Sequence, residues 1–273
     1  MREKQPGVKV GEIKKALAHN REIASNPKEG YGKDEGEWRY HDSNLENMAE
    51  DFIFALPEDF IKKEFASFSK REFTSFSWGS AFKKYIEKTL LRENTREKPK
   101  LTAVEFGGPG SRLFEGFTPQ FFSRTVGICL EDIRSTEVRK RDEARHHMVI
   151  ESDVMEVQND NLLYRIKNKL ASNKTDLIIS RMRGPLFNID RNGAILDRII
   201  RNWYVFLNEN GLIFAEFSPG FEKDINEIVE KWAKVIKKRF PEIDIQVYED
   251  VLRLHKKLGS PETLPTAAEL GLK

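Results

Sequence analysis

Five short apolar runs constrain what residues 101–273 can fold into. They are LTAVEF (101–106), RTVGICL (124–130), HMVIES (147–152), DLIIS (176–180) and GLIFAEF (211–217). All are too short for an independent helix, and most of their residues are apolar at odd and even positions alike, the pattern of a strand buried on both faces. Segments with helical spacing lie between them, notably YRIKNKLAS and AILDRIIRNWYVFLN. Strand and helix alternating in this way predict an α/β fold, a doubly wound and mostly parallel sheet with right-handed crossovers. After residue 220, FEKDINEIVEKWAKVIKKRF reads as a long amphipathic helix, and IDIQVYED and VLRLHKK as a closing pair of strands.

Residues 1–100 have a different texture, of helical segments joined by polar loops. VGEIKKALAHNREIA has helical spacing, and SNPKEGYGKDEGEWRYHD is rich in turn residues. Ser43 is placed to cap a helix over NLENMAEDFIFA. Pro57 suits the first turn of a second helix, PEDFIKKEFASF. SAFKKYIEKTLL makes a third amphipathic stretch, followed by the charged linker RENTREKPK. Phe52, Phe54, Phe60, Phe65, Phe68, Phe73, Phe76 and Phe82 crowd this region together with Trp78. Their spacing assigns most of them to a core against the sheet and leaves one or two, with Trp78 as the candidate, to line an acceptor pocket. The expected organisation is therefore a helical, aromatic-rich N-terminal cap (1–100) on a sheet domain (101–273).

Charge is nearly balanced, with 46 basic against 44 acidic residues, so global electrostatics does not call for nucleic acid or an anionic membrane. The single cysteine, Cys129, excludes an internal disulfide and a multi-cysteine zinc site. It fits a reducing, cytoplasmic setting. MREKQPGVKV lacks the apolar core of a signal peptide. No apolar run approaches the roughly 20 residues that span a bilayer.

The first strand ends in VEFGGPGSR (104–112), with Glu105 beside Gly107, Gly108, Pro109 and Gly110. Ligands of doubly wound sheets bind beyond the carboxyl ends of the strands, where glycine lets a backbone come close. A dinucleotide fingerprint would continue from Gly108 and Gly110 to a third glycine, but Leu113 stands there. With a turn one residue shorter than the usual form, Glu105, Gly107 and Gly110 instead resemble motif I, acid-x-Gly-x-Gly-x-Gly, of the class I S-adenosylmethionine-dependent methyltransferases, with Ser111 at a frequent glycine position. The likeness runs through five elements in order, across roughly residues 80–220. It implies S-adenosylmethionine as cofactor. An acid after the second strand would hold the ribose. Cys129 takes its usual place in TVGICLED, so Glu131 or Asp132 is the candidate, Glu131 favoured because a carboxylate accepts from both hydroxyls. In VIESDVME the resemblance gives Asp153 the adenine amino group and Val154 or Met155 the ring face. Ser180, ending the fourth strand, would approach the cofactor.

Apart from that likeness, each residue has a plainer reading. The glycine turn would serve as a strand–helix connector, Asp153 as a helix cap and Cys129 as a buried small side chain. His146 and His147 read as surface residues at a helix end, and VRKRDEAR as a solvated helix face.

Methyl transfer from a sulfonium requires mainly alignment and exclusion of water. The acceptor is less legible. SRMRGPL replaces the Asn/Asp-Pro-Pro-aromatic motif of amino-group methylation, and neither a Pro-Cys pair nor an acid cluster for metal-assisted transfer is present. Arg181 and Arg183 at that strand end suit a carboxylate or phosphate on the acceptor, or else an acid of the cap. A small-molecule acceptor is favoured, with nucleic acid or protein left open, as is oligomeric state. The alternatives are a non-catalytic module that keeps the fold and, further off, a nicotinamide-dependent oxidoreductase.

Overall fold

The computed structural model describes residues 44–66, 75–91, 100–132, 134–158, 160–181, 194–217, 224–266 and 268–270. The helical segment at 10–24, the polar loop after it, Ser43, Phe68, Phe73 and Arg183 lie outside that set.

One sheet of seven strands organises the chain, in the order β3-β2-β1-β4-β5-β7-β6. The strands are β1 (Leu101–Phe106), β2 (Phe122–Cys129), β3 (His147–Glu151), β4 (Thr175–Ser180), β5 (Leu207–Glu216), β6 (Ile243–Tyr248) and β7 (Val251–Lys256). The first five are parallel; β7 runs antiparallel to β5, and β6 antiparallel to β7. This is the doubly wound, mostly parallel, Rossmann-like sheet that the alternation of strands and helices predicts. Chain order reverses between β1 and β4, so the crevice for a ligand opens at the carboxyl ends of those two strands.

Alternation along the buried strands separates two cores. Val104, Phe106, Ile178, Ile213 and Ala215 face α6 (Asp160–Leu170), α7 (Ala194–Phe206) and α8 (Asp224–Arg239). Ala103, Leu177, Ile179, Leu212 and Phe214 face α1 (Leu45–Phe52), the 3-10 turn Ile53–Ala55, α2 (Glu58–Glu64) and α3 (Ser75–Leu90). The N-terminal helices are thus one of the two layers on the sheet. Phe52 and Phe82 both pack on Phe214 of β5, with centroids 5.5 and 4.9 Å away. Asn44 caps α1 by accepting from the Asn47 amide at 2.9 Å.

Buried polar bonds tie this layer to the antiparallel hairpin. Arg253 of β7 donates to the Ala55 carbonyl at 2.6 Å and to the Tyr85 hydroxyl at 3.0 Å, and pairs with Asp244 of β6. Among the described residues no helix is long and apolar enough to cross a membrane.

Candidate active site

Two short helices flank the glycine turn: α4 (Ser111–Glu115) follows it, and α5 (Thr136–Ala144) leads into β3. The turn bends back over β2. Gly107 donates its amide to the Ile128 carbonyl at 3.0 Å, and Gly108 bridges to Ile128. Gly107 and Gly110 have φ of 95° and 73°, in the left-handed region where a side chain is strained. Pro109 lies directly on Gly127 of β2, whose absent Cβ would overlap the Pro109 carbonyl. Gly127→Ala is therefore expected to displace the turn and cost roughly 1–3 kcal/mol, an overpacking penalty readable by urea denaturation.

Glu105 is 0% exposed, and its carboxylate forms an ion pair with the guanidinium of Arg181, itself 9% exposed. Parallel register explains the pairing: Phe106 stands opposite Ser180, and the Arg181 amide donates to the Phe106 carbonyl at 3.2 Å. The guanidinium covers Gly108, where any Cβ would collide with it. Arg181 thus finds its acid at the end of β1. This acid reaches it through the sheet, from the neighbouring strand.

The other expected site residues divide by exposure. Glu131 and Asp153, after β2 and β3, are exposed, and Val154 is half-buried against the core. Leu130 between Cys129 and Glu131 is 72% exposed, an apolar side chain just beyond the carboxyl end of β2. Asp132 is committed elsewhere: Arg134 donates to both of its oxygens, at 2.8 and 2.9 Å. Burial acts to raise the Asp132 pKa, but the bonds from Arg134 outweigh it and hold the carboxyl below its usual range. The Ser180 hydroxyl is buried at the end of β4 and makes no hydrogen bond among the described residues. Trp78 is fully buried against Phe65, centroids 5.1 Å apart, so it belongs to the helical core and presents no surface to a ligand. Burial pushes the Cys129 thiol up to about 12, which keeps it protonated and without nucleophilic character.

Two expectations about the approach to β3 are corrected. His147 opens β3 and is 2% exposed. It donates Nε2–H to the Pro109 carbonyl at 2.8 Å and accepts at Nδ1 from the Thr125 hydroxyl at 2.8 Å, the tautomer these partners require. The VRKRDEAR helix is solvated except at Asp142, whose buried carboxylate accepts from Ser111 at 2.5 Å and Arg134 at 2.6 Å and pairs with Arg145. Arg145 also donates to the Ser111 carbonyl at 3.1 Å. His147 and Asp142 therefore clamp the glycine turn at either end, roles that sequence reasoning missed. The available signal was His147 standing as the first residue of an apolar strand. Among the described residues no three His, Cys, Asp or Glu side chains gather as a metal site.

No family model matches the sequence, nor does any curated protein. Among solved structures it is similar to the MycE methyltransferase of the mycinamycin biosynthetic pathway, crystallised with Mg and SAH. Identity is 16% over 73% of this chain and 52% of that one, with a TM-score of 0.43. It is also similar to an rRNA methylase from Streptococcus thermophilus (10% identity, 64% of this chain and 93% of that one, TM-score 0.41). A third is the N-methyltransferase NodS from Bradyrhizobium japonicum (12%, 64% and 94%, TM-score 0.37). The chain spans just over half the length of MycE.

Proposed function

We propose that the protein transfers a methyl group from S-adenosylmethionine to a small-molecule acceptor. The observation that carries this reading is the buried Glu105–Arg181 pair beside the glycine turn, at the topological switch of the sheet. The two charges satisfy each other beneath Gly108 and Gly110, so the pair fixes the shape of the turn, whose backbone would take the amino-acid end of the cofactor.

The rest of the crevice suits an adenosine. Glu131 would accept from the two ribose hydroxyls, a task for which Asp132, held by Arg134, is less free. Asp153 would accept from the adenine amino group, with Val154 and the exposed Leu130 against the ring. The Ser180 hydroxyl, without a partner among the described residues, would supply a further donor. When bound, the sulfonium brings a methyl group already activated for in-line displacement. The chain's own residues bind, orient and exclude water. An anionic group on the acceptor keeps Arg183 as its candidate contact in this proposal.

Thermal denaturation with added ligand tests the reading. A ligand that binds only the folded chain adds about 2.7 kcal/mol at a hundredfold excess over Kd. S-adenosylmethionine and its demethylated product should each raise Tm, and NAD should not. A shift with NAD alone, or none with either methionine nucleoside, overturns the assignment.

A further inference from the structure

A cavity of about 970 Å³ lies at the opposite end of the sheet, where β1, β2 and β3 begin. It is remote from the crevice at the strand carboxyl ends, and nothing in the proposed methyl transfer uses it. Its volume is that of a small-molecule site.

The walls combine rings with positive charge. Phe117 and Phe121 are stacked with centroids 6.0 Å apart, and Phe121 meets Phe122 edge-on at 4.8 Å. Phe121 remains partly exposed on the cavity side of this cluster. Lys100 and Arg124 line the same cavity, and neither has an acid partner among the described residues. Arg124 does donate one N–H, to the Lys169 carbonyl at 3.2 Å, which leaves its charge uncompensated. Glu115 is the acid in the lining, and it pairs outward with Arg141 at 3.1 Å. Arg145 lines the cavity as well. Its charge is met by Asp142, yet its buried Nε makes no hydrogen bond among the described residues. The smaller cleft of about 440 Å³ beside β3 makes a useful contrast. There Arg139, Arg165 and Lys169 are set against Asp132 and Glu151, which leaves a single positive charge, whereas Lys100, Arg124 and Arg145 against Glu115 leave two in the larger cavity.

We propose that the larger cavity binds a small aromatic phosphate monoester. Such a ligand carries nearly two negative charges at neutral pH, matching the two uncompensated cations, and its ring suits the Phe117–Phe121–Phe122 shelf. The site is joined to the candidate active site through its own wall. His147 lines the cavity and holds the Pro109 carbonyl, and Arg145 holds that of Ser111, so an occupant rests against the side chains that clamp the glycine turn.

Phenyl phosphate is the probe, because it lacks the adenosine that the other site would take. Calorimetric titration of the full chain at low salt should show one saturable site. Inorganic phosphate and phenol should each bind at least about tenfold more weakly, since each carries half of the recognition. Arg124→Ala and Phe121→Ala should each weaken phenyl phosphate about tenfold, with urea denaturation showing both variants folded. Lys100→Ala repeats the charge test at an exposed position. Arg139→Ala, in the smaller cleft, should leave affinity unchanged. Absence of saturable binding at millimolar probe, equal affinity for inorganic phosphate, or undiminished affinity in Arg124→Ala and Lys100→Ala each overturns the proposal.

Discussion

Replacing Arg181 by methionine is expected to cost about 3–5 kcal/mol of folding stability, the penalty for stranding a buried charge whose partner has been removed. Glu105 has no exposed surface, and Arg181 bridges it from the neighbouring strand. Methionine fills similar volume but offers no charge, so the Glu105 carboxylate must be protonated, hydrated or pushed out against the glycine turn. All three disturb Gly108 and Gly110, which both lie against this pair. The double variant Glu105→Gln/Arg181→Met removes both charges and should recover most of the loss. Urea denaturation of the two single variants and the double one gives the coupling directly. A loss below about 1 kcal/mol for Arg181→Met would place the pair among solvent-screened surface bridges. It would also remove the rigid support that the proposed cofactor site requires beneath its glycine turn.

That pairing shows where sequence reasoning reaches its limit. The strands were legible because burial on both faces demands apolar residues at every position. LTAVEF is β1 from end to end, and the other runs fall within a few residues of their strands. The β6–β7 hairpin was legible for a related reason: two apolar runs stand either side of Glu249 and Asp250. By contrast, Arg181 and Glu105 meet only because β1 lies beside β4 in a particular register. Neither run of residues contains that information. Strand order alone would make β4 the neighbour of β1, and the register then sets Phe106 opposite Ser180 and brings Arg181 to Glu105. Asp142 failed for another reason. Its helix, TEVRKRDEA, is so polar that no apolar stripe marks an inward face, and the residue that turns inward is itself charged. Average polarity describes such a helix correctly and still misplaces its one buried carboxylate, which three neighbouring donors stabilise.

The glycine turn therefore depends on a layer of polar side chains beneath it, and this layer should respond to acid. Burial holds the His147 pKa down at about 4, against the opposing pull of Asp142 and with help from Arg134 and Arg145. The unfolded chain binds this proton near pH 6.5. Between those values the unfolded state carries more protons, so stability must fall as pH is lowered from 6.5 towards 4. The sign is the same for Asp142. Burial raises its pKa, but Ser111, Arg145 and Arg134 outweigh that and lower it, so its contribution disappears only in stronger acid. For His147 alone, the loss between pH 7 and pH 4 should be about 3 kcal/mol. His147→Gln retains a neutral side chain without the titration. The variant will be less stable at pH 7, because it loses one of the two hydrogen bonds to Pro109 and Thr125 or bends both. Its stability should nevertheless fall less steeply with acid, so the gap to the wild type closes as pH drops. Urea denaturation of both proteins at several pH values measures the two curves, and groups that His147 does not touch, such as His255, cancel in their difference; Asp142, held below its usual range, titrates in stronger acid. Parallel curves between pH 7 and pH 4 would mean that His147 titrates normally. The Pro109 carbonyl would then have to be held by a different contact, because a histidine that charges at its ordinary pKa cannot be buried beneath the turn.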